Sequence, residues 1–192
     1  MRAVAGFENE RFALVLIDVQ KKFSESTAGL RGSTPAIIPV LNEAIELFRS
    51  ANRPVVYVKY TGEMHSDDMP PDGDEFADGL IPPSDDDSIV CKDRMNAFTD
   101  SDLRKVLNGS GSDSVLLAGL VSQCCVIATY FGAFDVGFSS YILEGGTAAT
   151  EKANTEAVEL ICRTLTLEDL KRNTSFGTDG LRSLSDPQRT PI

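Results

Sequence analysis

Short, uninterrupted apolar runs that alternate with helix-length segments are the feature of this sequence that most constrains its fold. The first run, Phe12-Ala13-Leu14-Val15-Leu16-Ile17, ends at Asp18. Apolar runs of this length are typical of parallel strands that are buried on both faces. Similar runs predict further strands at Val55-Val56-Tyr57-Val58, Ser88-Ile89-Val90-Cys91, 114–118 and Phe138 to Leu143, and an edge strand at Thr164 to Leu167.

The segments between these runs carry helical patterns. Ser33 and Thr34 precede Pro35, which is favoured in the first turn of a helix, and apolar residues then recur at helical spacing up to Phe48. This pattern predicts an amphipathic helix that begins at Pro35 and ends before Pro54. Further helices are predicted at Leu103 to Leu107, at 126–134, and from 150 or 151 to Cys162.

Strands joined by helix-length connections form right-handed crossovers, which place a parallel sheet between two layers of helices. The sequence therefore predicts an α/β protein with a three-layer α/β/α, Rossmann-like fold and a mainly parallel sheet of about six strands. A chain of 192 residues without an internal repeat or linker predicts one domain over residues 1–192. Residues 171–192 are polar and weakly patterned, and are predicted to form a C-terminal tail that either packs on a neighbour or is disordered.

Charge and cysteine content exclude several classes of partner. The net charge of -11 argues against nucleic acid and anionic membrane surfaces. The sequence has no apolar run near about eighteen residues, and residues 1–10 lack the apolar core of a signal peptide. The four cysteines show no framework spacing, and adjacent Cys124 and Cys125 are poor disulfide partners, so we expect a cytoplasmic location. Residues 60–87 hold ten acidic residues and no Lys or Arg, which predicts a long surface excursion of the kind that often forms a lid.

A pair of cysteines follows the fourth predicted strand, at the point where a helix begins. The run Ala118-Gly119-Leu120-Val121-Ser122-Gln123-Cys124-Cys125-Val126 leads from that strand into the helix at 126–134. Unpaired N–H groups and the helix dipole in a first turn favour a thiolate, which can act as a nucleophile. Taken alone, the run fits a catalytic cysteine and a buried structural cysteine about equally well.

Three reactive residues end three of the predicted strands. Asp18 ends the first strand, Lys92 ends the third, and Cys125 lies just beyond the fourth. In doubly wound sheets ligands bind at the carboxyl ends of the strands, and a lone charge on a buried apolar strand is costly. Together the three residues supply a base, a cation and a nucleophile. Asp18 can take the thiol proton, while Lys92 can lower the thiol pKa and keep the carboxylate ionised.

The sequence contains three motifs, one after another, between about Arg11 and Leu170, and these motifs include the three reactive residues at the strand ends. They are Leu14-Val15-Leu16-Ile17-Asp18-Val19-Gln20 followed by Phe23, then Lys92 with Asn96-Ala97-Phe98, then Gly119 to Val126. With these motifs the chain resembles the isochorismatase-like cysteine hydrolases, which include nicotinamidases, N-carbamoylsarcosine amidases and ureidoacrylate amidohydrolases. The resemblance implies a catalytic triad of Asp18, Lys92 and Cys125.

The resemblance also implies the surroundings of that triad. Cys125 is preferred over Cys124 because the family cysteine precedes a valine and lies three residues after a Thr or Ser, here Ser122. A cis peptide bond is implied between Leu120 and Val121, and the N–H groups of Val121 and Cys125 are implied as the oxyanion site. The substrate pocket is assigned to four residues, of which the two phenylalanines are equally compatible with the core: Gln20, Phe23, Asn96 and Phe98.

The chain departs from parts of the family pattern. Nicotinamidases carry a metal site with an aspartate and two histidines, whereas the single histidine here is His65, in the acidic stretch. We therefore expect no metal and no other cofactor, and nicotinamidase activity is not favoured. Siderophore-pathway isochorismatases lack the cysteine, so its presence favours C–N hydrolysis. Asn96 stands where many members have Ser, and Gln123 where many have Asp or Asn.

These observations predict a metal-independent cysteine amidohydrolase that cleaves a small amide, carbamoyl or ureido compound through a thioester. Two alternatives remain open. One is isochorismatase-type vinyl-ether hydrolysis by Asp18 and Lys92 without covalent chemistry, and the other is a non-catalytic binding protein in which Cys125 is a redox-sensitive thiol. The expected partner is a small-molecule substrate, with no nucleic acid and no membrane, and the chain is expected to form a homo-oligomer, a dimer or tetramer.

Overall fold

The computed structural model describes Phe7, residues 10–62 and residues 70–172. Within them, six strands form a single sheet in which every neighbouring pair is parallel, in the order β3-β2-β1-β4-β5-β6. The predicted α/β fold with a parallel sheet is thus confirmed. The strands are β1 (Phe12–Ile17), β2 (Val55–Tyr60), β3 (Ser88–Lys92), β4 (Ser114–Leu120), β5 (Ser139–Ala148) and β6 (Thr164–Leu165).

Six helices accompany the strands in the described residues. They are α1 (Lys21–Ser24), α2 (Ala28–Ser50), α3 (Leu103–Gly109), α4 (Ile127–Asp135), α5 (Lys152–Ile161) and α6 (Leu167–Arg172). Four of them lie at the predicted places, and two, α1 and α6, were not predicted. A five-residue π-helical segment, Ser122–Val126, precedes α4. Residues 171 and 172, the first two of the predicted C-terminal tail, belong to α6, and residues 173–192 lie outside the described residues.

Helix α2 begins seven residues earlier than its sequence pattern predicts. Thr27 is the N-cap, and its Oγ1 accepts a hydrogen bond of 3.1 Å from the Leu30 N–H, so the helix begins there and Pro35 lies inside it. An internal proline removes one backbone hydrogen bond and usually breaks a helix. Here one whole face of α2 packs on the sheet over several turns, and that burial keeps the helix continuous.

The sheet divides the core into two layers. On β1, Phe12, Leu14 and Leu16 face the layer that contains α2 and α6, and the alternate residues face the layer that contains α3, α4 and α5. All six residues of β1 are buried. This two-sided burial is the physical reason that the sequence of β1 is uninterruptedly apolar. No helix in the described ranges is long and apolar enough to cross a membrane.

The strand order reverses next to β1. The chain runs from β1 outward through β2 to β3 and then returns to β4, which pairs with the other side of β1. In such sheets a crevice forms at the carboxyl ends of the two strands where the connections diverge. β1 and β4 are therefore the strands from which a ligand site is expected to be built.

Part of the acidic stretch lies against the chain that leaves β1. The Lys21 N–H donates to the Glu75 carbonyl at 2.9 Å, the Lys22 N–H donates to the Gly73 carbonyl at 2.9 Å, and the Ala77 N–H donates to the Val19 carbonyl at 2.9 Å. We call residues 72–78 the acidic cover. These bonds hold it beside the carboxyl end of β1.

Candidate active site

Three strand ends bring Asp18, Lys92 and Cys125 together at the carboxyl edge of the sheet. Asp18 follows β1, Lys92 is the last residue of β3, and Cys125 lies in the π-helical segment directly after β4. Lys92 Nζ lies 2.6 Å from Asp18 Oδ2, and the two side chains are 0% and 1% exposed. The Cys125 thiol lies close enough to both groups for their charges to act on it. Lys92 Nζ also donates to the Arg94 carbonyl at 2.9 Å, which orients it.

The backbone around these residues is unusual. Asp18 has a φ of 50°, in the left-handed region, where Asp is tolerated better than most residues. Gly119 has a φ of 113°, and a Cβ placed there would lie 2.2 Å from the Ile17 carbonyl oxygen. Only glycine therefore lets β4 approach the end of β1 this closely. The peptide bond between Leu120 and Val121 is cis, as the resemblance implies.

Buried hydroxyl groups fix the segment that carries Cys125. Ser122 is fully buried, and its Oγ donates to Thr147 Oγ1 at 3.1 Å and lies 3.0 Å from Thr155 Oγ1. These contacts join the π-helical segment to β5 and to α5. The sequence indicated Ser122 only through its spacing from Cys125, whereas in the structure Ser122 positions the segment that carries Cys125.

Burial dominates the electrostatics of the site. It raises the pKa of Asp18 above the usual range of an aspartate carboxyl, and the nearby Lys92 ammonium opposes this increase. Burial also raises the pKa of Cys125 to about 12, and the charge of Asp18 acts in the same direction while Lys92 opposes it. Burial and the Asp18 charge together outweigh Lys92, so the buried site favours the neutral thiol at rest, against the preference of a first helical turn for a thiolate.

Two residues that sequence reasoning missed lie beside the triad. Tyr60 ends β2 and is the register partner of Lys92, and Lys92 Nζ lies 5.0 Å from the centre of its ring. Lys22 Nζ lies 5.5 Å from the same ring. The rule that found Asp18 and Lys92, a residue at the carboxyl end of a strand, also applies to Tyr60. Lys22 gives no comparable signal, because its position depends on the fold of the short helix α1.

The structure separates the residues assigned to the substrate pocket. Phe23 packs edge-on against Tyr60, with 5.7 Å between ring centres, and so lies near the triad. Gln20 is fully buried, and its side chain forms hydrogen bonds that connect two segments of the chain. Its Oε1 accepts from the Tyr60 N–H at 2.8 Å, and its Nε2 donates to the Tyr60 and Asp74 carbonyls at 3.3 and 3.4 Å. It ties the end of β2 to the acidic cover.

Asn96 and Phe98, the other two residues assigned to the pocket, take part in packing contacts. Asn96 Oδ1 accepts from the Phe98 N–H at 2.9 Å, and its side chain lies against Gly132 on α4. The Phe98 ring stacks on Phe138 with 5.8 Å between centres, and Phe138 directly precedes β5 at the amino edge of the sheet. Phe98 is partly buried and packs against the core layer that contains α3, α4 and α5.

Side chains that could bind a metal ion are not clustered in the described part of the chain. Among residues 10–62 and 70–172, no group of three His, Cys, Asp or Glu side chains is arranged to hold a metal ion. His65, the single histidine of the sequence, lies in the segment 63–69, outside the described residues.

Comparison with known proteins gives consistent matches. Residues 12–163 match the model of the isochorismatase domain. An uncharacterized isochorismatase family protein of Bacillus subtilis is 28% identical over 141 residues, which are 73% of this chain and 75% of that protein. The crystal structure of an isochorismatase-like hydrolase from Alkaliphilus metalliredigens matches with a TM-score of 0.70 and 26% identity, over 82% of this chain and 95% of that one. N-carbamoylsarcosine amidase from Thermoplasma acidophilum shares the fold, with a TM-score of 0.67 and 23% identity over 81% and 95% of the two chains.

Proposed function

Because the chain belongs to the isochorismatase family of hydrolases, we propose that it is a cysteine amidohydrolase that cleaves a C–N bond of a small amide, carbamoyl or ureido compound. One observation carries the proposal. A cysteine thiol, Cys125, faces a buried carboxylate–ammonium pair, Asp18 and Lys92, at the switch point of the sheet. A nucleophile next to its base is the arrangement that acyl transfer requires.

In the first step of the proposed reaction, Cys125 Sγ attacks the substrate carbonyl carbon as its proton passes to Asp18. The thiol is protonated at rest, so proton transfer accompanies attack and no preformed thiolate is needed. The N–H groups of Val121 and Cys125 are proposed to donate to the oxyanion of the tetrahedral intermediate. Lys92 remains paired with Asp18 and holds the carboxylate toward the thiol.

In the second step, protonated Asp18 gives its proton to the leaving nitrogen, the C–N bond breaks, and ammonia or an amine departs. The acyl group stays on Cys125 as a thioester. Asp18, ionised again, then takes a proton from water as the water oxygen attacks the thioester carbonyl. The acid product leaves, and the proton held by Asp18 returns to Cys125 Sγ. The carbamoyl class is included because an N-carbamoylsarcosine amidase has the same fold.

A panel of small amides, carbamoyl compounds and ureides tests the proposal through ammonia release, with and without prior alkylation of the protein. We expect ammonia from at least one compound and its loss after alkylation. Turnover of a vinyl ether that survives alkylation would favour non-covalent ether hydrolysis. Compounds that bind without any turnover would favour a binding protein.

Turnover is expected to continue after dialysis against a strong chelator. The proposed steps use only Asp18, Lys92, Cys125 and backbone N–H groups, and the sequence offers a single imidazole, His65, as a nitrogen ligand. The measurement is the ammonia-release rate before and after dialysis, with zinc and manganese added back. A loss that either ion restores would contradict metal independence.

The pH profile should have an acid limb above the usual carboxyl range. Asp18 must be ionised to accept the thiol proton, and its pKa is raised by burial, so kcat/KM should fall as the pH drops through that raised value. Alkylation of Cys125 by iodoacetamide should keep accelerating with pH toward a thiol pKa of about 12. In Asp18→Asn the alkylation profile should move to lower pH, because the negative charge that raises the thiol pKa is gone. A wild-type plateau near pH 8 would contradict this assignment.

A further inference from the structure

A second buried ammonium group lies beside the triad and has no part in the proposed steps. The Lys22 side chain is only 4% exposed, and its Nζ lies 2.5 Å from Asp74 Oδ1. The Asp74 side chain, by contrast, is 79% exposed. Lys22 and Lys92 both contact the ring of Tyr60, at 5.5 and 5.0 Å from its centre. A buried cation thus faces the site, with a surface carboxylate as its partner.

Lys22 also acts electrostatically on the triad. Burial is the main influence on the pKa of Asp18, and the positive charge of Lys22 is one of the groups that oppose it. The two ammonium groups, Lys22 and Lys92, therefore both act on one carboxylate, Asp18.

The acidic cover has several anchors besides the Lys22 side chain. Lys21 Nζ pairs with Asp72 and lies 3.7 Å from Glu75 and 3.3 Å from Asp78. Backbone hydrogen bonds from 21, 22 and 77 and the side chain of Gln20 add to this anchoring. Burying an ammonium group is costly unless it is paired. An anchor already exists one residue away in Lys21, whose side chain is 14% exposed against 4% for Lys22, so the deeper burial of Lys22 calls for another explanation.

We propose that Lys22 is a specificity-determining residue that binds a carboxylate group of the substrate, with Asp74 as the resident counterion that this carboxylate replaces. The inference rests on the proposed amidohydrolase function and narrows its substrate class to amides, carbamoyl compounds or ureides that carry a carboxylate. Exchange of one carboxylate for another keeps Lys22 paired throughout. Asp74 can move into water because most of its side chain is already there.

Two substitutions that break the same ion pair separate this role from anchoring. Lys22→Gln removes the binding cation, whereas Asp74→Asn removes only the competitor. The probes are N-carbamoylglycine and its neutral methyl ester, and the measured quantity is the ratio of their kcat/KM values for ammonia release. We expect Lys22→Gln to lower the ratio about tenfold or more, as for a lost charged hydrogen bond, and Asp74→Asn to raise it. Lys21→Gln, the matched control, should leave the ratio unchanged.

A binding measurement keeps this inference separate from the proposed function. In a Cys124→Ser background, the rates at which iodoacetate and iodoacetamide alkylate Cys125 are compared by peptide mass spectrometry. The rate of alkylation by iodoacetate, relative to that by iodoacetamide, should fall in Lys22→Gln and rise in Asp74→Asn, whether or not the protein hydrolyses amides. If both substitutions shift either ratio in the same direction, Lys22 only anchors the cover and the inference is overturned. Unchanged ratios in Lys22→Gln overturn it equally.

Discussion

Replacing Cys125 by alanine is expected to abolish amide turnover, with a loss of roughly 10⁴-fold or more, as when the nucleophile of a catalytic triad is removed. The reason is chemical: without Sγ no thioester can form, and Asp18 has no thiol proton to accept. The substitution removes one atom from a small buried side chain and should leave the fold intact. The measurements are kcat/KM for ammonia release and covalent labelling followed by mass spectrometry.

Cys124→Ala is the matched control. Cys124 is adjacent in sequence, carries the same thiol and is partly exposed, whereas Cys125 is buried and interacts with Asp18 and Lys92. We expect this variant to keep most of its turnover and to be labelled at Cys125. If Cys125→Ala keeps full activity, or if Cys124→Ala loses it, the nucleophile assignment is wrong. Vinyl-ether hydrolysis that persists in Cys125→Ala would support the non-covalent alternative.

The sheet could be predicted from the sequence because burial on both faces leaves a direct trace. Each residue of β1 contacts one of two apolar layers, so the strand reads as an unbroken apolar run. The polar residues at the ends of such runs, Asp18 and Lys92, could therefore be recognised as candidate site residues from the sequence. Their meeting follows from the parallel sheet, whose carboxyl ends share one edge.

Helix boundaries and side-chain environments were harder to predict, because they depend on contacts between segments distant in the sequence. The start of α2 is set by the cap at Thr27 and by packing on the sheet, which outweigh the local preference of Pro35 for a first turn. Likewise, a helix terminus favours a thiolate locally, yet Cys125 is buried in a core cluster formed by several strands and helices, and this burial desolvates it. The role of Gln20 depends on carbonyl groups 40 and 54 residues away.

Removing either member of the Asp18–Lys92 pair is expected to lower both activity and stability, whereas removing both members is expected to restore stability but not activity. The two side chains are 1% and 0% exposed, so removal of one charge leaves the other buried without a partner. Asp18→Asn and Lys92→Met should each lower the free energy of unfolding by about 3–5 kcal/mol. Asparagine tolerates the left-handed backbone of residue 18, and methionine approximates the length of the lysine stem. The loss in Asp18→Asn can therefore be attributed to charge and not to backbone strain.

The double variant Asp18→Asn/Lys92→Met should regain most of this stability, because no unpaired charge stays buried in it. Turnover should be lost in both single variants and remain lost in the double variant, since the three residues act as one unit and their losses are not additive. Urea unfolding followed by circular dichroism gives the stability cycle, with Cys125→Ala as an inactive reference that keeps the pair. Single variants as stable as wild type would show that Asp18 and Lys92 do not form a buried ion pair. A double variant with restored turnover would remove both from the catalytic mechanism.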